Sequence, residues 1–146
     1  LATKLIYDGL EADTAKMYEQ KQYFINELLK LPGVSINGIP EIDSEDMCAA
    51  VKESAPHIVS ASFEGVRAEV LLHALEAKGI YVSAGSACAS NKPAKSATLS
   101  AIRLPASLLD STLRFSLSVM TKKEEIDHTL EVLAEELPAL RRYRRS

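Results

Sequence analysis

Thr112-Leu113-Arg114-Phe115-Ser116-Leu117-Ser118-Val119 alternates apolar and polar side chains without a break. Successive side chains of a strand point to opposite faces. A period of two therefore assigns Leu113, Phe115, Leu117 and Val119 to one face and Arg114, Ser116 and Ser118 to the other. Such a strand is half-buried, with one face on a core and the other left to solvent or a partner. Upstream, Ile58 to Phe63 repeats the pattern with Val59, Ala61 and Phe63 on one side. Val34 to Ile36 and Ile80 to Val82 are predicted as shorter strands.

Helical spacing fills the gaps between these strands. Asp13 to Leu31 places Tyr18, Ile25, Leu28 and Leu29 in one stripe with Phe24 at its border, and Pro32-Gly33 ends the run. Gly38 to Pro56 is expected to be irregular, with a single helical turn over Asp46 to Val51. Arg67 to Lys78 predicts a helix with Val70, Leu71, Ala74 and Leu75 on its apolar side and Gly79 as a left-handed C-cap. Ser96 to Ile102 and Ala106 to Leu109 are short helix candidates. The last helix is predicted from Thr121, with Thr121 and Glu124 as a capping box. Its stripe is Ile126, Leu130, Leu133, Leu137 and Leu140, and Pro138 inside it is expected to kink or weaken the helix.

Strands in succession without regular crossovers imply an α+β fold: a two-layer sandwich of a small, mostly antiparallel sheet with helices on one face. The 146 residues are expected to form one domain, with residues 1–33 as a leading helix and 34–146 as sheet and helices. A hydrophobic fraction of 47% with 25% charged residues is that of a globular chain, not of a disordered one. A net charge of -3 gives no general affinity for nucleic acid or an anionic membrane. No apolar run is long enough to span a bilayer, and Leu1 to Leu10 lacks signal-peptide character. Leu1 in place of Met suits a processed chain or a fragment. Two cysteines, Cys48 and Cys88, form no disulfide framework and no metal-binding spacing, so a reducing cytoplasm is expected.

Seven of the eight residues from Ser83 to Ser90 are Ser, Ala or Gly, and the exception is Cys88. Small side chains anchor a segment poorly, which favours an accessible thiol whose thiolate is a nucleophile. A small buried cysteine in a tight Ala/Ser core is equally consistent with the residues alone. Arg114 can offer a planar fork to a carboxylate beside Ser116 and Ser118, or it can be a solvated edge residue. His57, His73 and His128 are distant from Cys88 in sequence and read as structural or surface residues, and Cys48 reads as a buried filler. Arg141, Arg142, Arg144 and Arg145 read as a solvated helix end or as a contact for an anionic partner.

Three segments together resemble a known family: Gly65 to Glu76, Gly79 to Cys88, and Leu113-Arg114-Phe115-Ser116-Leu117-Ser118. They are similar to the C-terminal, small domain of NifS/IscS-like cysteine desulfurases. These are class V aminotransferases with the pyridoxal-phosphate (PLP) fold of the aspartate aminotransferase type. Pro56-His57-Ile58 and Glu124-Glu125-Ile126-Asp127 fit as well. The resemblance implies that Cys88 is the catalytic cysteine and Arg114 the residue that grips the carboxylate of L-cysteine. PLP would act as the electron sink while sulfur passes to Cys88 as a persulfide and L-alanine is released. A scaffold or carrier protein would then accept the sulfur, for iron–sulfur clusters or tRNA thiolation, and the full-length enzyme would be a homodimer.

The same family holds PLP on a lysine that follows a histidine, and no His-Lys pair exists here. The PLP-binding large domain is therefore expected to be absent, and this fragment alone is expected neither to bind PLP nor to turn over cysteine. No cofactor-binding residue and no metal ligand is assigned within it. Two other assignments are compatible with the residues: a class V aminotransferase or lyase fragment without a catalytic cysteine, and a non-catalytic α+β module that binds a protein through the face carrying Arg114.

Overall fold

The computed structural model describes residues 2–39, 44–84 and 106–144, and side chains over 9–39, 49–84 and 108–143. The element order is α1 (Ala2–Leu29), β1 (Val34–Ile36), α2 (Ser44–Glu53), β2 (Ile58–Phe63), α3 (Ala68–Glu76), β3 (Ser83–Ala84), α4 (Ala106–Leu109), β4 (Thr112–Ser116) and α5 (Lys123–Arg144). The strands form one sheet in the order β1-β2-β4-β3, and every neighbouring pair is antiparallel. The expected α+β architecture is present.

One face of the sheet supplies the core. Val59, Ala61, Phe63, Leu113 and Phe115 are buried against Phe24, Ile25 and Leu28 of α1, Leu71 and Leu75 of α3, and Ile126, Leu133 and Leu137 of α5. Phe115 is the pivot. It meets Phe24 edge-on at 5.1 Å between centroids and Phe63 at 6.2 Å. Such edge-to-face pairs add to the gain from burial alone.

Several local expectations are corrected, each for a visible reason. The first helix starts at Ala2 rather than Asp13. The segment expected to be irregular holds a ten-residue helix, α2. The chain just past its C-terminal end is held from α1: Tyr18 Oη donates to the Ser54 carbonyl at 2.8 Å, and Lys21 Nζ to the Ala55 carbonyl at 2.8 Å. Val70 is 46% exposed, because the buried stripe of α3 runs through Ala68, Leu71 and Leu75. Val70 lies about 100° around the helix from Leu71.

Ile80 to Val82 is not a strand, and pairing begins only at Ser83. Gly79 adopts φ 79° and closes α3, with Gly79 N donating to the Glu76 carbonyl and Ile80 N to the Leu75 carbonyl, both at 2.9 Å. This is a Schellman cap, and it keeps Ile80 bound to the helix end instead of the sheet. The capping of α5 is shifted by one residue. Lys122 N donates to Glu125 Oε2 at 2.8 Å, whereas Thr121 Oγ1 accepts from Ser118 N at 2.9 Å. β4 ends at Ser116, and Val119 is 41% exposed.

α5 continues through Pro138, held by buried Leu133 and Leu137. Near its end, Arg141 is packed into the fold. Its Nε donates to the Glu64 carbonyl at 2.9 Å, and its guanidinium covers Gly33, where an added Cβ would stand 2.8 Å from Nη2. The expected helix over Ser96 to Ile102 lies outside the described residues.

Candidate functional site

The second face of the sheet is polar. β2 contributes Ser60 and Ser62, β4 contributes Thr112, Arg114 and Ser116, and β3 contributes Ser83. The alternation that drives Leu113 and Phe115 into the core sends Arg114 the other way. Arg114 is opposite Ser60 on β2 and opposite Ser83 on β3, so hydroxyl-bearing residues flank it on both sides.

Arg114 is exposed, and among the described residues its side chain has neither a hydrogen bond nor an ion pair. Ser62 and Thr112 on the same face are buried, at 0% and 2% exposure, and bond to each other at 2.7 Å. The face thus has a closed, self-satisfied end at Ser62 and Thr112 and an open end at Arg114. A guanidinium with five donors and, among the described residues, no acceptor is fitted to a planar anion such as a carboxylate.

β3 links this arginine to the Ser/Ala/Gly segment. Ser83 and Ala84 pair with Arg114 and Leu113, and the chain then runs on toward Cys88. Cys88 itself lies outside the described residues. The four residues of chain beyond Ala84 span at most about 14 Å when fully extended. The side chain of Cys48 also lies outside the described residues, although its backbone belongs to α2.

The histidines have local roles. His73 Nδ1 contacts Glu76 Oε2 at 3.2 Å, and His128 Nε2 is 3.3 Å from the Lys78 carbonyl. His57 contributes its backbone carbonyl to Leu117 N at 2.7 Å.

Two polar features escaped the sequence. Lys21 is 3% exposed, and burial pushes its ammonium below the usual lysine range. Its Nζ is held by Ser54 Oγ at 2.6 Å and the Ala55 carbonyl. A lysine at the border of an apolar helical stripe reads as a solvated residue, so nothing in the pattern marks it. The second is a surface trio. Tyr23 Oη donates to Asp127 Oδ1, Lys123 Nζ donates to Asp127 Oδ2 at 2.9 Å, and Lys123 Nζ stands 4.8 Å from the Tyr23 ring centroid. The hydrogen bond from Tyr23, then that from Lys123, holds Asp127 below the usual carboxylate range. The bond to Asp127 raises both Tyr23 and Lys123.

Among the described residues no three His, Cys, Asp or Glu side chains cluster as a metal site, and no helix is long and apolar enough to cross a membrane.

The chain is similar to proteins named cysteine desulfurase IscS. It is 34% identical to the one from Methanosarcina thermophila over 140 residues, which is 96% of this chain and 32% of the relative. It is 38% identical to that of Buchnera aphidicola subsp. Baizongia pistaciae over 105 residues, 72% of this chain and 26% of the relative. The chain thus spans between a quarter and a third of these curated relatives. Its fold matches a solved NifS-like protein with a TM-score of 0.66 at 24% identity, covering 87% of this chain and 28% of that one. The sequence profile of the Aminotransferase class-V family matches residues 4–129. With that match across most of its length, on a fold shared with a NifS-like protein, the chain belongs to the class V aminotransferase family.

Proposed function

We propose that this chain is the C-terminal part of a cysteine desulfurase, in which Arg114 binds the carboxylate of L-cysteine and Cys88 receives its sulfur. The observation that carries the proposal is Arg114, exposed on the polar face and without a partner among the described residues, on a strand paired to the one that leads into the Cys88 segment. The substrate carboxylate and the sulfur acceptor are thereby tied to adjacent strands of one sheet.

The described residues do not fit PLP. Lys21 is the buried lysine among them, and Ser54 and Ala55 already hold its ammonium. None of the three histidines is followed by lysine. The cofactor, the electron sink that lets the carbon–sulfur bond of L-cysteine break, belongs in this proposal to the portion of the relatives that the chain does not span.

This chain supplies the two remaining functions. Arg114 orients the amino acid by its carboxylate, away from the reacting sulfur. Cys88, as thiolate, forms a bond to that sulfur and becomes a persulfide, and the three-carbon product leaves as L-alanine. The persulfide is then handed to an acceptor protein.

The test is the full-length protein with Cys88→Ala. It should keep its cofactor absorbance and lose sulfide release from L-cysteine. Release at the parent rate would show that Cys88 is not the sulfur acceptor.

A further inference from the structure

Next to Arg114, the polar face carries a row of hydrogen bonds whose direction can be worked out proton by proton. Thr112 Oγ1 donates to the Leu108 carbonyl at 2.8 Å. Its single proton is then committed, so in the 2.7 Å contact with Ser62 it can only accept. Ser62 is therefore the donor there, and its contact with Asn37 Oδ1 at 3.2 Å is the longer one. Asn37 completes the row, with Nδ2 donating to Ser62 Oγ at 3.0 Å and to Ser60 Oγ at 3.2 Å.

The consequence falls on Ser60. Its oxygen accepts from Asn37, and among the described residues its own hydroxyl proton has no acceptor. The row starts at the carbonyl end of α4 and delivers a free donor at Ser60.

Strand register places that donor beside Arg114. Leu117 N donates to the His57 carbonyl and Phe63 N to the Ser111 carbonyl, so the odd-numbered residues of this strand bond to β2. Arg114 and Ser60 are thus a non-hydrogen-bonded pair, in which Cβ atoms approach to roughly 4.5–5.5 Å. Both side chains leave the same face of the sheet.

Resting on the proposed carboxylate role of Arg114, we infer that Ser60 is a second substrate-binding residue, held as a donor by Asn37 and directed at the same carboxylate. A carboxylate has more acceptor positions than one guanidinium fork fills, and a hydroxyl at the edge of the fork can take another.

The experiment compares Ser60→Ala, Ser60→Thr and Arg114→Gln in the full-length holoenzyme, reading KM and kcat for L-cysteine and the Kd of L-alanine by calorimetry. Loss of one hydrogen bond to a charged group should raise KM for S60A about tenfold, with the change carried by KM rather than kcat. The Kd of L-alanine, which has the same carboxylate, should rise by the same factor. S60T keeps the hydroxyl and should recover most of the affinity. If R114Q weakens both ligands while S60A leaves KM and Kd at parent values, this inference is overturned and the role of Arg114 stands. If neither variant moves them, the carboxylate site itself is misplaced. If S60T is as weak as S60A, shape rather than the donated proton matters at this position, and the inference is likewise overturned.

Discussion

Replacing Arg114 by Gln separates function from stability. The substitution keeps an extended polar side chain on the strand and removes the charge and the fork. Arg114 is exposed and has no partner among the described residues, so the fold loses nothing by the exchange. The unfolding free energy of R114Q should stay within about 0.5 kcal/mol of the parent, the range of surface changes away from special features. Binding behaves differently. Two charge-assisted bonds to a carboxylate are each worth about 1.5–3 kcal/mol and do not add fully. A loss of about 3 kcal/mol corresponds to a rise in KM for L-cysteine of roughly a hundredfold. Arg114→Lys keeps a point charge without the fork and should fall between, at about tenfold. Urea titration and steady-state kinetics on the same full-length preparations give both numbers. A variant destabilised by several kcal/mol, or one that folds normally with an unchanged KM, would refute the assignment of Arg114 to the substrate.

Two further outcomes concern the scaffold. Gly33→Ala should destabilise the fold by about 1–2 kcal/mol, because φ is 68° there and an L side chain is strained in that region. The midpoint in urea should fall at constant slope, and a stability equal to the parent would contradict the backbone argument. The trio of Tyr23, Lys123 and Asp127 should give an acid limb. Asp127 is held below its ordinary 3.8, so its contribution is complete above that pH and is lost as pH falls through the lower folded-state value. Tyr23 and Lys123 are raised above their ordinary 10.0 and 10.5, so theirs is complete below those values and is lost as pH rises beyond them. Asp127→Asn should flatten the dependence of stability on pH below 3.8, and an unchanged acid limb would show that the trio is not coupled to folding.

What could be read from the sequence follows from the range of each interaction. β2 and β4 were legible because alternation is a local signal, and it placed Arg114 on the face away from the core. Gly79 was legible as a cap for the same reason. Ile80 departs from its predicted strand because its fate depends on a bond back to Leu75 that competes with sheet pairing. α2 is longer than the sequence predicts, and the chain just past it is held by Tyr18 and Lys21, 36 and 33 residues away from the Ser54 groups they bond. Val70 is exposed against expectation because an apolar residue adjacent to a buried stripe looks the same in sequence as one inside it.

At the site, Cys88 stood out by its composition and Arg114 by its alternation. Ser60 did not, because its importance comes from cross-strand register and from the proton count of Asn37, Ser62 and Thr112. Those partners are brought together only by folding.

The most direct measurement is intact and peptide mass spectrometry of the full-length protein after brief exposure to L-cysteine. A sulfur-transfer role requires the mass of one extra sulfur atom on the peptide that contains Cys88, absent in Cys88→Ala and discharged by a thiol acceptor. An unmodified Cys88 peptide from a preparation that is visibly producing alanine and sulfide would contradict the account.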